Sequence, residues 1–518
     1  MKKNQSPSTV LENIRDSFEN RDYIVVQNGG CNQATGSGEY LKRVLESYGK
    51  RFTVLEGGCD GACFLSPRAY WTGSDHKDEL ERNLWNLNAD PDLDFENMNK
   101  ELTSYLLPQK RIVMKDIGLS GWSDLGQYLS NGGFYSFAEV LQLSPDIVTE
   151  TVAESGLKGR GGAYFSVGMK WKSAQSFAQD GKNTEIIINA EEGEPGVYKD
   201  RHLMEGMPFR IIEGALITAY ANSASSIHIY VNAEAKLSFE RMTYALSLCE
   251  KYNLIGRNIL GSGFDANIKL LRGAGGYVCG EESTLINTIE GDRREPRLRP
   301  PFPTQSGLHN LPTVVNNVET VCSLPYIMMS CDKDAFRTIG SAENSGTKIV
   351  SLSGSLKRSG VAEVPMGTSI KYILETVSGT DIEENLVGAA VGGPSSGILP
   401  NEKLNLLIEP GFIDGKYVMV GAGGIVGIDK DVDPLQIVRI LSSYNSRESC
   451  GKCTPCREGT PRISEMLGQF VKGKSSTKLT HDLNKLSRTV NAASLCGLGQ
   501  SAGNPVLSYL EYFENGVK

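Results

Sequence analysis

Histidine is scarce in this chain, at five in 518 residues, and His481, the imidazole nearest its cysteine-rich segment, has no matching partner for a metal knuckle. No apolar run reaches the roughly eighteen residues that a membrane-spanning helix needs. There is no block of basic residues and the formal net charge is −8, which argues against a nucleic-acid partner. Lys2 and Lys3 lead into polar residues with no apolar core behind them, so the start does not read as a secretory signal. In a chain without an export signal, eleven cysteines read as metal ligands and buried thiols rather than disulfides. The expected compartment is cytoplasmic, or an equivalent reducing space.

What is present begins with those cysteines. Cys450, Cys453 and Cys456 follow the spacing C-x2-C-x2-C in a turn-rich segment, and Cys496 lies further on. Three thiolates on one loop can hold three corners of a cubane, and a distant fourth closes the all-thiolate ligation of a [4Fe-4S] cluster. Zinc is the competing occupant, but it usually takes two C-x2-C knuckles or adds histidine. The spacing points to an electron carrier.

A chain of 518 residues accommodates about three or four domains. Residues 1–100 read as a small α/β unit, with a strand over 22–27, a helix over 38–48 and a strand over 51–55, followed by a charged stretch of helix and linker over 75–100. Residues 101–345 alternate glycine loops, apolar strands such as 185–189 and helical patterns, which predicts a layered α/β domain. From 346 to 430 the texture changes to short β-branched strands and Gly/Pro turns, and 431–518 is helical around the cysteines. No ferredoxin-like cysteine run is appended after Cys496.

Residues 156–171 gather five glycines with Lys158, Arg160 and Lys170. Such a loop can present backbone N–H groups and cations to a phosphate, although glycine turns also occur for structural reasons alone. The segment 189–196, Asn-Ala-Glu-Glu-Gly-Glu-Pro-Gly, follows an apolar strand, so its carboxylates emerge where α/β sheets bind ligands. A solvated acidic loop is the plainer alternative. A second glycine loop over 273–283 again ends in paired carboxylates, Glu281 and Glu282.

These segments, in this order and ending in the Cys450 set, resemble the NADH-oxidising flavoprotein subunit of respiratory complex I and its relatives in NAD-linked hydrogenases, formate dehydrogenases and electron-bifurcating complexes. The resemblance spans about residues 110–510. It implies a multidomain α/β fold: a Rossmann-like FMN domain, a ubiquitin-like β-grasp domain and a C-terminal helical bundle carrying the cluster. Carried over by position, it implies an FMN site of Gly159, Arg160, Gly161, Lys170, Asn189, Glu191, Glu192, Tyr277, Gly280, Glu281, Glu282, Asn316 and Asn317. Phe165, Glu194, Arg299 and Phe302 match positions that contact NAD(P)H, with Glu194 and Glu281 as positioning residues rather than acids or bases. Cys279 reads as a buried thiol. The implied reaction passes hydride electrons between NAD(P)H and FMN, then singly to the cluster. The implied partners are a small thioredoxin-like [2Fe-2S] subunit and a larger multi-cluster subunit.

Departures from the family pattern are local. Tyr164 stands where the family has glycine beside the nicotinamide pocket, which raises the alternative of a relay that does not use NAD(P)H. Ser173 replaces an aromatic, Arg299 a lysine and Glu191 an aspartate. At the N-terminus, Cys31, Cys59 and Cys63 resemble the ligand set of a thioredoxin-like [2Fe-2S] domain, but Val26 occupies the fourth ligand position. The unit is therefore expected to be degenerate, without its cluster and retained for docking.

Overall fold

The computed structural model describes residues 5–18, 23–72, 95–178, 183–329, 334–473 and 476–514. Three sheets organise these residues. The first contains β1 (Tyr23–Gln27), β2 (Thr53–Gly57) and β3 (Ala69–Thr72), in the order β2-β1-β3. β2 runs parallel to β1 and β3 antiparallel to it, with the helix Ser37–Tyr48 packed on one face. The strand expected over 51–55 begins at Thr53. Most of the charged stretch expected over 75–100 lies outside the described residues. Its end joins the helix Phe95–Leu106.

The second sheet is fully parallel: β4 (Glu185–Ala190), β5 (Ser226–Val231), β6 (Asn267–Arg272) and β7 (Thr313–Asn317), in the order β6-β5-β4-β7. Ile186, Ile187 and Ile188 of β4 are all buried, as expected of a central parallel strand covered on both faces. The helix Pro208–Ala221 packs against the helix Val318–Met329, and both share the largest core with β4 and β5. The chain moves outward from β4 through β5 to β6, then returns to the other side of β4 as β7. That reversal opens a crevice at the carboxyl ends of β4 and β7, where sheets of this class bind ligands.

The third sheet comprises β8 (Thr347–Gly354), β9 (Gly360–Pro365), β10 (Leu386–Val391), β11 (Gly397–Pro400) and β12 (Gly424–Asp429), in the order β11-β10-β12-β8-β9. One core beneath it joins Val350, Leu374 and Val391 to Leu102 and Tyr105 of the helix Phe95–Leu106 and to Ala62 and Tyr70 of the N-terminal unit. Another side, at Ala390, Ile398 and Ile428, packs on the C-terminal helices Pro434–Glu448, Thr454–Val471 and Thr477–Ala493. The N-terminal and helical units are thus both joined to this sheet.

Candidate functional site

The crevice beside β4 and β7 collects the residues that sequence singled out. Asn189, next to last in β4, donates from Nδ2 to the Gly280 carbonyl at 2.8 Å, while its Oδ1 accepts the Glu191 N–H at 3.1 Å. One side-chain amide therefore ties the 189–196 loop to the 273–281 loop. Asn316, on β7, accepts from Trp171 Nε1 at 3.1 Å. Lys170, on the helix Val167–Phe177, reaches the Val315 carbonyl at 3.0 Å and Glu282 at 3.5 Å, and remains partly exposed. Gly161 lies against Asn317, where an added Cβ would fall 3.1 Å from the Asn317 Cβ.

Arg160 takes a different place from the one its charge suggested. Its guanidinium is buried and donates to the carbonyls of Thr347, Ser345 and Lys158 at 2.8, 2.6 and 2.9 Å, and its N–H bonds Thr320 Oγ1 at 2.8 Å. It clamps the glycine loop to the start of β8. Lys170 is the cation of that loop that borders the crevice.

The carboxylates divide by role. Glu192 accepts the N–H groups of Asp200 and Arg201 at 2.8 and 3.0 Å, which caps the helix Lys199–Gly206. Glu281 caps the helix Glu282–Glu290 through the Thr284 N–H at 2.8 Å and also binds Ser283 Oγ. Glu191 and Glu194 keep unsatisfied oxygens: Asn232 serves Glu191 Oε1, but Glu191 Oε2 and Glu194 Oε1 are buried with no hydrogen-bond partner. Burial pushes the Glu191 carboxyl up to about 7 and the Glu194 carboxyl up to about 8. A buried acceptor without a donor costs about 1–3 kcal/mol. Two such acceptors, Glu191 Oε2 beside Gly273 and Glu194 Oε1 beside Gly393 and Gly421, fit a ligand that brings N–H or O–H groups.

The nucleotide-side residues lie at the rim. Phe165 and Phe302 are half exposed. The Arg299 guanidinium sits 6.0 Å from the Phe302 ring centre and pairs with Glu281 and Glu282. Ser173 joins this rim through Thr304 Oγ1 at 3.0 Å. Tyr164 is buried, holds φ at 52°, and donates its phenol to the Gly421 carbonyl at 3.2 Å. That backbone conformation favours glycine.

The sequence reading missed a set of long-range partners. Lys199 is fully buried against Asp200, Glu319 and Asn317 at 2.6, 3.1 and 3.2 Å. Lys348 from β8 pairs with the same Glu319. Ser395 meets the Tyr277 hydroxyl, and Tyr444 donates to the Gly193 carbonyl at 2.6 Å. These residues come from separate units of the chain, and no local run of sequence marks their charges as buried.

Cys450, Cys453, Cys456 and Cys496 converge with Val278 and Leu498 around one small pocket. Burial raises the Cys456 thiol to about 11 and raises Cys496 as well. Four cysteines lining one pocket are the all-thiolate donor set of a [4Fe-4S] cluster, and ligation deprotonates them despite that burial. Val278 belongs to the turn Tyr277–Gly280, whose Gly280 carbonyl accepts from Asn189 at the crevice. Glu448 Oε2 accepts the Tyr277 N–H at 2.7 Å, which fixes this turn to the helix preceding Cys450. Cys279 is buried, with its Sγ 3.3 Å from the Gly275 carbonyl. Crevice and thiol cavity therefore share one wall, a single turn of chain.

Comparison with known proteins agrees with this geometry. The Nuo51 FMN-binding domain family matches residues 152–326. The NADH-ubiquinone oxidoreductase-F iron–sulfur binding region matches residues 436–518. The NADP-reducing hydrogenase subunit HndC of Solidesulfovibrio fructosivorans is 38% identical over 408 residues, covering 79% of this chain and 82% of that protein. The F 2 subunit of NADH-quinone oxidoreductase from Rhizobium meliloti (strain 1021) is 35% identical over 404 residues, covering 78% and 95%. A chain of a solved NAD+-reducing [NiFe]-hydrogenase in its H2-reduced state shares the fold, with a TM-score of 0.68 at 23% identity over 98% of this chain and 86% of that one.

Proposed function

We propose a function from the premise that this chain belongs to the family of NADH-quinone oxidoreductase F subunits and related hydrogenase subunits: it is an oxidoreductase flavoprotein that moves electrons between NAD(P)H, FMN and a [4Fe-4S] cluster. FMN, when bound, links the two-electron chemistry of nicotinamide to the one-electron chemistry of an iron–sulfur cluster. The chain's task is positioning. Among the residues expected to hold FMN, Asn189, Lys170, Asn316 and Gly161 define the crevice, and Glu191 offers it an open acceptor. Glu194 offers a second acceptor on the nucleotide side, where Phe165 and Phe302 supply apolar surface and Arg299 orients Glu281 and Glu282. Cys450, Cys453, Cys456 and Cys496 would hold the cluster.

The turn Tyr277–Gly280 carries this reading, because Asn189 of β4 bonds its Gly280 carbonyl while Val278 lines the thiol pocket. Anaerobic stopped-flow mixing with NADH and with NADPH tests it. Flavin bleaching followed by cluster reduction is the expected course, and no bleaching with either dinucleotide overturns it.

The finer assignments are part of the same proposal. The β2-β1-β3 sheet with its helix supports a thioredoxin-like unit over 1–100. The switch-point sheet supports an FMN domain over 101–345. The mixed sheet β8–β12 supports a β-grasp unit over 346–430, with the cluster bundle over 431–518. Among the described residues no helix is long and apolar enough to cross a membrane. A cytoplasmic subunit, passing electrons to or from a small [2Fe-2S] subunit and a multi-cluster subunit, fits the assignment. Tyr164 favours one competing reading, a relay that does not use NAD(P)H, because its buried phenol fills space beside Glu194. The stopped-flow result separates the two.

A further inference from the structure

Asn317 ends β7 at the crevice with its side-chain amide fully engaged. Its Oδ1 accepts from Lys199 Nζ at 3.2 Å and from the Glu319 N–H at 3.0 Å. Its Nδ2 donates to Asp200 at 2.6 Å and to the Asn189 carbonyl at 3.3 Å. Two lone pairs and two N–H groups are the whole capacity of an amide. The Asn317 side chain is therefore part of the crevice wall beside Gly161, held in one orientation by charged neighbours, rather than a hydrogen-bonding contact for a ligand.

Those neighbours form one buried group drawn from three parts of the chain. Lys199 begins the helix Lys199–Gly206, Glu319 lies in the first turn of the helix Val318–Met329, and Lys348 is on β8. Lys199 pairs with Asp200 and Glu319, and Lys348 with the same Glu319, all of them buried. Arg160 adds a third cation: carbonyls take up its guanidinium, and its own carbonyl lies 3.4 Å from Lys348 Nζ. Three buried cations thus share two carboxylates, Asp200 and Glu319. A short loop separates this group from the open acceptor Glu194, since Cβ atoms added at Gly421 and Gly423 would fall 3.5 Å from Glu194 Oε1 and 3.2 Å from Lys348 Nζ. Burial raises the Glu194 carboxyl, and both lysines pull against that rise.

We propose that Lys199 and Lys348 set the reduction potential of the flavin, holding it above the value that the acidic loop 189–196 alone would give; this rests on the FMN reading above. Reduction makes a flavin ring more anionic, so a fixed cation nearby favours the reduced form and a carboxylate disfavours it. Salt screens buried charges only weakly, so the excess cation acts across the wall. Both lysines are positioning residues, Lys199 through Asn317 and both through their charge.

Spectroelectrochemical titration of the flavin- and cluster-loaded full chain tests this, with the flavin read by difference against the flavin-stripped chain. In Lys199→Met and in Lys348→Met, reduced FMN should lose about tenfold in binding relative to oxidised FMN, which lowers a two-electron midpoint potential by about 30 mV. Lys199→Arg keeps the charge and should stay within about twofold of wild type. A wild-type potential in either methionine variant overturns the proposal, and so does an equal fall in Lys199→Arg, the mark of a packing effect. If Lys199→Met fails to fold, Lys348→Met decides alone, because Glu319 keeps Lys199 there. A wild-type chain that binds no FMN overturns the functional reading as well, whereas bound flavin with unmoved potentials sinks this inference alone.

Discussion

Tyr164 keeps a left-handed backbone that costs a non-glycine residue about 1–2 kcal/mol. Burial of its ring, worth roughly 1.5–3 kcal/mol, and the bond to Gly421 at 3.2 Å offset that strain. Tyr164→Gly should therefore lower the melting temperature by a few degrees while opening space beside Glu194. Steady-state assays are expected to show a several-fold lower KM for NADH with flavin content unchanged. A second residue-scale expectation concerns Glu191 and Glu194, whose carboxyls stand at about 7 and about 8 against about 4.3 in an unfolded chain. The folded protein holds protons that the unfolded chain has released, so stability is fullest below about pH 4 and falls as pH rises toward 8. The melting temperature of the flavin-free chain should fall between pH 5 and pH 8, and Glu194→Gln should flatten that slope. Cys450→Ser should abolish the iron–sulfur signal in electron paramagnetic resonance and leave flavin bound, because Asn189, Lys170 and Asn316 do not depend on it. At this scale the sequence revealed residue types better than roles. Arg160 carries a charge that suggests a phosphate, yet three backbone carbonyls take it up, those of Ser345 and Thr347 from a distant segment. No local pattern announces such partners.

The elements show the same division. The strand β4 and its acidic loop were legible because an apolar run ending in polar residues is a local signal. The switch point between β4 and β7 was not, since it depends on where a strand more than a hundred residues later pairs. The Lys199–Glu319–Lys348 group is the clearest case: one member begins a helix, one lies near the start of another, and the third is on β8. Burial lowers the Lys348 ammonium to about 8, while the two lysines hold the Glu319 carboxyl below its ordinary range despite its burial. Removing the shared acid strips the buried Lys348 of its carboxylate, while Lys199 keeps Asp200, a loss of about 3–5 kcal/mol. Glu319→Ala should lower the temperature of flavin release markedly, whereas Lys172→Ala, which breaks an exposed pair with Glu150, should hardly move it. In the N-terminal unit, the β1 strand expected from its apolar run is present and Val26 is buried within it.

For the whole molecule the question is where the electrons go. Cys450, Cys453 and Cys496 are only partly buried, so a cluster held there lies near the surface. The crevice reaches that cavity through the turn at Val278, and the four-cysteine set at 450–496 is the complete cluster motif of this sequence. A two-electron donor therefore fills the chain faster than it can empty unless another protein accepts at the cluster face. Purified alone, the chain should reduce ferricyanide with NADH and yet fail with its physiological acceptor. Adding an iron–sulfur partner protein should restore that second activity, and a Cys450→Ser chain should keep the ferricyanide reaction while losing the restored one. Full physiological turnover by the chain as a lone monomer would overturn this order, because it would require an exit for single electrons that bypasses the thiol cavity. The partner dependence follows from the placement of two sites on one wall: the turn that Asn189 holds at the crevice puts Val278 in the pocket of the four thiols, three of which are partly exposed.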